Sequence, residues 1–540
     1  MGIAATLAFG TLGLLIAYAI QRLLQKDRNA RPLPPGPKGW PVIGNATDMP
    51  KPGFMEYDHW TKHKDAYGPI SSVTVLGQTI IILNDPKLAF ELMRDRAFIH
   101  SGRPHQNFSC DVVGWKHSTA MCQHNDQWKL HRRNITKVTS SAVSVLAFDK
   151  VQEEEAARFL VNVLREPGKL FEHIRTEAGT VILKITYGYT ARMRGRDPLV
   201  ELAGKAVWTF AESTVPGKWA VDVFPLLKYL PDGFPGTAYR KTGREMAKIL
   251  SDCVEKPYAF VKKQMREGRA KTSFLSQVIE TEGADERMER IHKWAALSMF
   301  AAGADTEHLI THLTPILQTA HPNHPQTVSS LMTFFLAMTL YPDVQKKAQE
   351  ELDRVIGPDR LPVAADNDSL PYIHAIMLET HRWHPVVPMG FPHTSDAEDV
   401  CMGYRIPKGA MLLPNTWWFT HDPAIYASPS AFNPSRFLPP SSEPDPRQFI
   451  FGYGRRICPG RYVADNALFI TIAQTLAVFD ILPTSDKLPE VRFEPGVVSH
   501  PLPYECRVVP RSEGCRRLVE GCAGGEERGE GDAVELEAMG

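Results

Sequence analysis

Phe451-Gly-Tyr-Gly454-Arg-Arg456-Ile-Cys458-Pro-Gly460 decides how the rest of this chain is read. Its pattern, F-x-x-G-x-R-x-C-x-G, sets one cysteine at the end of a glycine-rich turn. Each position suits a haem iron held by a thiolate. A deprotonated cysteine pushes electron density onto iron and favours cleavage of dioxygen. Gly454 lets the backbone turn tightly where a side chain would obstruct it, and such a turn aims N–H groups at the sulfur. Phe451 opens the run, Arg456 offers a cation to a haem propionate, and Gly460 lets the following helix approach the porphyrin. The plainer alternative, a buried structural cysteine, leaves this combination of residue types unexplained.

With those residues the chain resembles the cytochrome P-450 family. Phe335 to Asp353 and Trp383-His-Pro-Val-Val-Pro-Met-Gly390 are similar to fungal microsomal members, particularly the O-methylsterigmatocystin-oxidoreductase-like group. The resemblance implies further signatures upstream in a fixed order. Glu379-Thr-His-Arg382 matches E-x-x-R, and Phe432-Asn-Pro-Ser-Arg436-Phe437 matches the later arginine element, with Asn-Pro-Ser in place of its usual opening. Glu379, Arg382 and Arg436 are then expected to form an ion-pair triad. Taken alone, Glu and Arg at helical spacing usually make a solvated surface pair; their order ahead of Cys458 is what lends them meaning.

Trp128-Lys-Leu-His-Arg132 matches W-x-x-x-R, and its i, i+4 spacing puts Trp128 and Arg132 on one helical face. The resemblance implies that both hold propionates, as does His393 in Phe391-Pro-His393; the alternatives are an ordinary basic helix and an exposed loop histidine. Ala302-Gly-Ala-Asp305-Thr306 matches A-G-x-D-T. The resemblance makes Asp305 and Thr306 the catalytic pair that delivers protons.

The pattern breaks directly after Thr306. Residues 307–326, 20 in all, contain Pro315, Pro322 and Pro325. An interior proline costs a helix about 3 kcal/mol or more, so no continuous helix runs through them. Joining Thr306 to Thr327 restores A-G-A-D-T-T-V-S-S-L. Three readings stand: translated non-coding sequence, a genuine loop between two half-helices, or a metal site built from His308, His312, His321 and His324. Whatever its origin, the segment starts one residue past the expected oxygen site, so a form that binds haem with impaired turnover is a second reading of the chain.

The fold class expected is mainly α with a small β region, the cytochrome P-450 fold, preceded by one transmembrane helix. Ile3–Ile20 carries no charge over 18 residues, marginally enough to span a bilayer. Arg22, Lys26, Arg28 and Arg31 follow it, which orients the next domain to the cytosol. A cleaved leader at Ala17-Tyr-Ala19 is the rival, but its positive charge belongs before the apolar run. The domain plan is therefore 1–24 membrane anchor, 25–40 basic and proline-rich hinge, 41–510 haem-thiolate domain, and 511–540 disordered tail. Val73–Leu83 reads as two strands around a turn at Gly77-Gln78. Long amphipathic stretches lie at 146–166, 289–306, 327–340, 343–356 and 461–479.

Lys plus Arg and Asp plus Glu number 61 each, a balance that argues against a nucleic-acid partner. The 8 cysteines show no paired spacing, which suits a reducing compartment. The resemblance implies haem b (iron protoporphyrin IX) on Cys458, an NADPH–cytochrome P-450 reductase with cytochrome b5 as a further donor, and the endoplasmic reticulum membrane. Arg447, Arg455 and Arg461 are candidates to dock that reductase. Phe108, Val112, Val113, Phe300, Ala301, Val386, Val387 and Val498 are candidates to line a pocket for an apolar small molecule, or are plain core. Other classes remain open: a haem-thiolate isomerase or dehydratase, and an electron carrier.

Overall fold

Ile80-Ile-Ile-Leu83 has no polar alternation, the pattern of a strand covered on both faces, and it lies at the centre of the main sheet. In the computed structural model, which describes residues 31–303 and 329–539 apart from 52, 140, 193–195, 216, 524–528 and 530, four strands form that sheet in the order β1-β2-β6-β3. β1 (Ile70–Val75) and β2 (Gln78–Leu83) are an antiparallel hairpin. β6 (Met411–Pro414) runs parallel to β2, and β3 (His393–Thr394) is antiparallel to β6. The hairpin turn is Leu76-Gly77 rather than Gly77-Gln78. Both residues have positive φ, +48° and +88°, as a two-residue turn matched to strand twist requires. β4 (Asp399–Cys401) pairs with β5 (Tyr404–Ile406), and β7 (Phe479–Pro483) with β8 (Cys506–Pro510).

The longer helices make up most of the remainder. They are α1 (Glu56–Tyr67), α2 (Asp126–Thr139), α3 (Asp149–Arg165), α4 (Leu170–Tyr187), α5 (Pro198–Ser213) and α6 (Tyr239–Arg266). After these come α7 (Phe274–Glu282), α8 (Glu286–Gly303), α9 (Ser329–Leu340), α10 (Pro342–Val355), α11 (Pro371–Trp383) and α12 (Arg461–Val478). α9 is apolar on every side, so it can be stable only when wholly covered; Leu331 to Met338 are all buried. One core cluster packs α3, α9, α11 and α12 together; a second packs α5, α6, α7 and α8. α4 joins them, giving Leu170 and Ile174 to the first and Val181 to Tyr187 to the second.

The first and last described segments are both held against this body. Residues 31–40 are extended, as their prolines dictate, yet they are docked: the Pro35 carbonyl accepts from Ser72 N at 2.9 Å and the Pro34 carbonyl from Ser72 Oγ at 2.6 Å. Gly36 permits the approach, since a Cβ there would stand 1.9 Å from the Ser72 carbonyl oxygen. The tail expected to be disordered instead carries α13 (Glu513–Cys522) and α14 (Ala533–Ala538). Its acids find fixed cations, which the composition does not reveal: Glu535 pairs with Lys263 and Arg269, Asp532 with Lys271, and Glu537 with Arg192. Val519 and Leu536 bury against the two cores. Among the described residues no helix is long and apolar enough to cross a membrane; the anchor expected at 1–24 lies outside them.

Candidate functional site

The ligand loop is shaped by its own backbone before any side chain acts. Gly454 has φ +51° and opens a short helical turn, Gly454–Arg456. A Cβ at Gly454 would sit 2.5 Å from the Met93 carbonyl oxygen, so only glycine lets this turn pack on the segment around Met93. The chain then doubles back, and Cys458 N donates to the Phe451 carbonyl at 2.7 Å. Gly460 caps α12; a Cβ there would meet nothing within 4 Å. No neighbouring residue therefore demands glycine at 460, in keeping with close approach by a bound group. Burial raises the Cys458 thiol overall, and the Gly460 N–H and the positive charges of Arg132 and Arg461 partly oppose that rise. Those three groups favour the thiolate that a metal ligand must be. No disulfide competes, as all 8 cysteines are free.

Beside the loop lies a group of cations, Arg103 and Arg456 buried and Arg132 half-buried. Arg456 stacks over the Trp128 ring at 4.7 Å. Its guanidinium donates to the carbonyls of Ser101, Thr119 and Cys122 at 2.9, 3.2 and 2.7 Å, which ties the ligand loop to residues 101–122. Arg132, one helical turn along α2 from Trp128, is held below its usual pKa by burial. Arg103 completes the group, donating to the carbonyls of Ala120, Phe391 and Pro392. Burial and then the Arg456 charge push Arg103 well down. His393, on β3, gives Nδ1–H to the His100 carbonyl at 2.6 Å and is kept neutral by burial and by Arg103.

Among the described residues, no carboxylate pairs with Arg103, Arg132 or Arg456. Buried charge of one sign is costly without an anion, so this donor set fits a ligand with two carboxylates. Haem carries two, and Cys458 stands beside the set. The sequence-predicted residues Trp128, Arg132, Phe451, Gly454, Arg456 and Cys458 are thus brought together; His393 joins them through Arg103. Arg103 was missed, because His100-Ser-Gly-Arg103 carries no spacing pattern. Asp305 and Thr306 lie outside the described residues. α8 is described as far as Gly303, where a Cβ would stand 2.6 Å from Ile182 Cγ1 on α4, so close helix packing requires this glycine.

Below the loop the triad is assembled. Glu379 accepts from Arg382 Nε and Nη2, both at 2.8 Å, and from Arg436 Nε at 3.2 Å. Arg382 also donates to the carbonyls of Thr420, Pro429 and Ala431, and Arg436 to Glu443 and Ala427. These bonds pin the irregular segment 420–443 that leads into the ligand loop. Arg447 is engaged by Asp445 and Asp465, whereas Arg455 is exposed.

The candidate pocket residues divide. Phe108 stacks on Trp219 at 3.6 Å and Phe300 meets Tyr187 edge-on, both fully buried in the helical core with Val113. Ala301, Val386, Val387 and Val498 are half-buried. Ser499 N donates to the Val386 carbonyl at 2.9 Å, and Ser499 Oγ meets His384 Nε2 at 2.8 Å, so the segments 384–387 and 497–499 form one wall.

A family model described as Cytochrome P450 matches residues 34–312 and 324–508. Cytochrome P450 monooxygenase claR of Ampulloclitocybe clavipes is 40% identical over 94% of this chain and 91% of that protein. Multifunctional cytochrome P450 monooxygenase af510 of Aspergillus fumigatus is 38% identical over 94% of each. O-methylsterigmatocystin oxidoreductase of Aspergillus flavus is 37% identical over 94% of this chain and 93% of that protein. The family match omits residues 313–323, which fall inside the segment 307–326.

Proposed function

The chain belongs to the cytochrome P450 family of haem-thiolate monooxygenases, and from that premise we propose that it oxidises an apolar small molecule, a secondary metabolite, lipid or xenobiotic. The observation that carries this reading is Cys458 beside Arg103 and Arg456, both buried, and half-buried Arg132, none of which has a carboxylate partner among the described residues. Haem held by a cysteine thiolate supplies the activation of dioxygen. The protein's own groups do the rest. Gly460 N–H, Arg132 and Arg461 hold negative charge on the Cys458 sulfur. Arg132, Trp128 and Arg103 orient the two carboxylates, and Arg456 keeps the loop in place for them. Asp305 and Thr306 are proposed to pass protons to the reacting site from their carboxyl and hydroxyl.

The half-buried Val386, Val387 and Val498 of that wall suit an apolar substrate. One relative is named O-methylsterigmatocystin oxidoreductase; the substrate class proposed here is an apolar small molecule. Electrons are proposed to come from an NADPH–cytochrome P450 reductase, with cytochrome b5 as a second donor. Arg455 and Arg461 are the docking cations left once Arg447 is engaged by its two aspartates. The anchor at 1–24 and its basic flank support the endoplasmic reticulum membrane, with the haem domain cytosolic.

A second reading is favoured by one observation: the family match skips 313–323, a stretch that begins 7 residues after Thr306 in the sequence. In that reading the chain as written binds haem with impaired turnover. The test is a carbon-monoxide difference spectrum and NADPH-driven product formation, with the full chain beside a version lacking 307–326. A thiolate-type band and product from both supports the oxygenase reading for this form. A band and product from the shortened version alone assigns activity to a chain without the segment. No thiolate-type band from either, with Cys458→Ser indistinguishable from both, overturns the haem-thiolate assignment.

A further inference from the structure

Far from the ligand loop in sequence, Asp48, His59 and His63 each offer one metal-binding atom, and the three atoms lie within 4.8 Å of one another. α1 carries His59 and His63 four residues apart and so on one face, the spacing by which helices present two imidazoles to Zn2+. Asp48 ends the short helical turn Ala46–Asp48, and its Oδ2 stands 3.0 Å from His63 Nε2. Two ligand atoms bound to one Zn2+ at about 2.0–2.1 Å stand roughly 3 Å apart at angles of about 90–110°, so this edge of the site is already formed.

His59 supplies the second observation. Its Nε2 is shut off from solvent without a hydrogen-bond partner among the described residues, as is His63 Nδ1. A buried ring nitrogen left in that state costs free energy. The Asp48 side chain is 34% exposed, against 6% for His63, so the cluster meets solvent on the Asp48 side.

We propose that Asp48, His59 and His63 bind a divalent transition ion of the Zn2+ class, through two imidazole nitrogens and one carboxylate oxygen, with solvent completing the shell. Two imidazoles select against Mg2+ and Ca2+, which prefer oxygen throughout. The ion ties two parts of the fold together. Asn45, beside the Asp48 turn, bonds to Thr74 of β1 through both its amide and its side chain. α1 in turn stacks Tyr57 on Trp417 at 4.4 Å. The bound ion therefore clamps the sheet edge to the first helix, and takes no part in oxidation.

The test titrates Zn2+ into the haem-loaded full chain against a chromophoric chelator, with thermal melting followed by circular dichroism. One equivalent bound at micromolar affinity or tighter, with a raised melting midpoint, is expected. His59→Ala and Asp48→Asn should each weaken binding by at least the roughly 10–100-fold that even loss of an outer partner costs, and abolish the rise in midpoint. His63→Ala should do the same; because it empties a buried position, the half-buried His59 carries the decision. His105→Ala, at a histidine paired with Asp111 away from the cluster, should bind like the parent. An equivalent of Zn2+ retained unchanged by His59→Ala and Asp48→Asn, or no binding by the parent chain, overturns the proposal and leaves an ordinary hydrogen-bonded His–Asp pair.

Discussion

Two buried arginine groups flank the ligand loop, and they solve the same electrostatic problem in opposite ways. Arg382 and Arg436 share the carboxylate of Glu379, and each also spends donors on main-chain carbonyls. Their charge is answered within the protein, so the group stands whether or not anything is bound. Arg103 and Arg456 have carbonyls or an aromatic face for company, and neither they nor Arg132 has a carboxylate among the described residues. Their charge is answered from outside. The first group is a structural weld and the second is a receptor, though both are buried arginine clusters. The difference lies in where the anion comes from, and that follows from whether an acidic residue sits within reach.

The largest break in this comparison should come from Glu379→Gln. It leaves two buried guanidiniums without their shared anion and should cost about 3–5 kcal/mol, read as a lowered denaturation midpoint in haem-loaded and haem-free protein alike. An unchanged midpoint would mean that the triad does not neutralise itself. Arg132→Gln should split the two states instead. Arg132 has no side-chain hydrogen bond among the described residues, so its loss should leave the haem-free protein within about 1 kcal/mol of the parent. Haem affinity, measured by transfer to apomyoglobin, should fall about 10–100-fold, the worth of a hydrogen bond to a charged group. Equal destabilisation of both states would remove the distinction between weld and receptor.

Glu177 sharpens the rule from the acidic side with the smallest effect. It is buried on α4, hydrogen-bonded to Thr471 of α12 at 2.9 Å, and burial with the nearby Glu155 raises its pKa from 4.5 to about 8. Since the folded value lies above the unfolded one, its favourable contribution is complete below 4.5 and is lost as the pH climbs to about 8. Glu177→Gln keeps the shape and removes that loss. It should therefore stabilise the protein by on the order of 1–3 kcal/mol at about pH 8.5 relative to its effect at about pH 4.5. Thermal melts of the two proteins across that range check it; a difference that does not grow with pH would show Glu177 ionised in the fold.

Local chemistry was legible in the sequence wherever function depends on residues close together. The Cys458 loop, the Glu379–Arg382 pair and the Trp128–Arg132 face each lie within one turn or one helix, so spacing carries the information. The helices at 149–165, 329–340 and 461–478 followed from their apolar patterning. The turn at Leu76-Gly77 was misplaced by one residue because a leucine at positive φ has no composition cue. The tail was misread because its acids look solvated until the cations of Arg192, Lys263, Arg269 and Lys271 are brought to them.

By itself, then, the sequence determined that Cys458 ends a turn only glycine can make, that Glu379 and Arg382 share a helical face, and that prolines forbid a continuous helix through 307–326. Tertiary structure alone decided that Arg103 joins Arg456 from 353 residues away, that Arg456 spends its donors on three carbonyls, and that Asp48 meets two histidines of α1. The physical reason is the range of each interaction. Backbone conformation and helical periodicity act within a few residues and leave their mark on the order of the chain. Charge pairing and metal ligation act through space, and no spacing in the sequence records which distant groups the packed core will bring together.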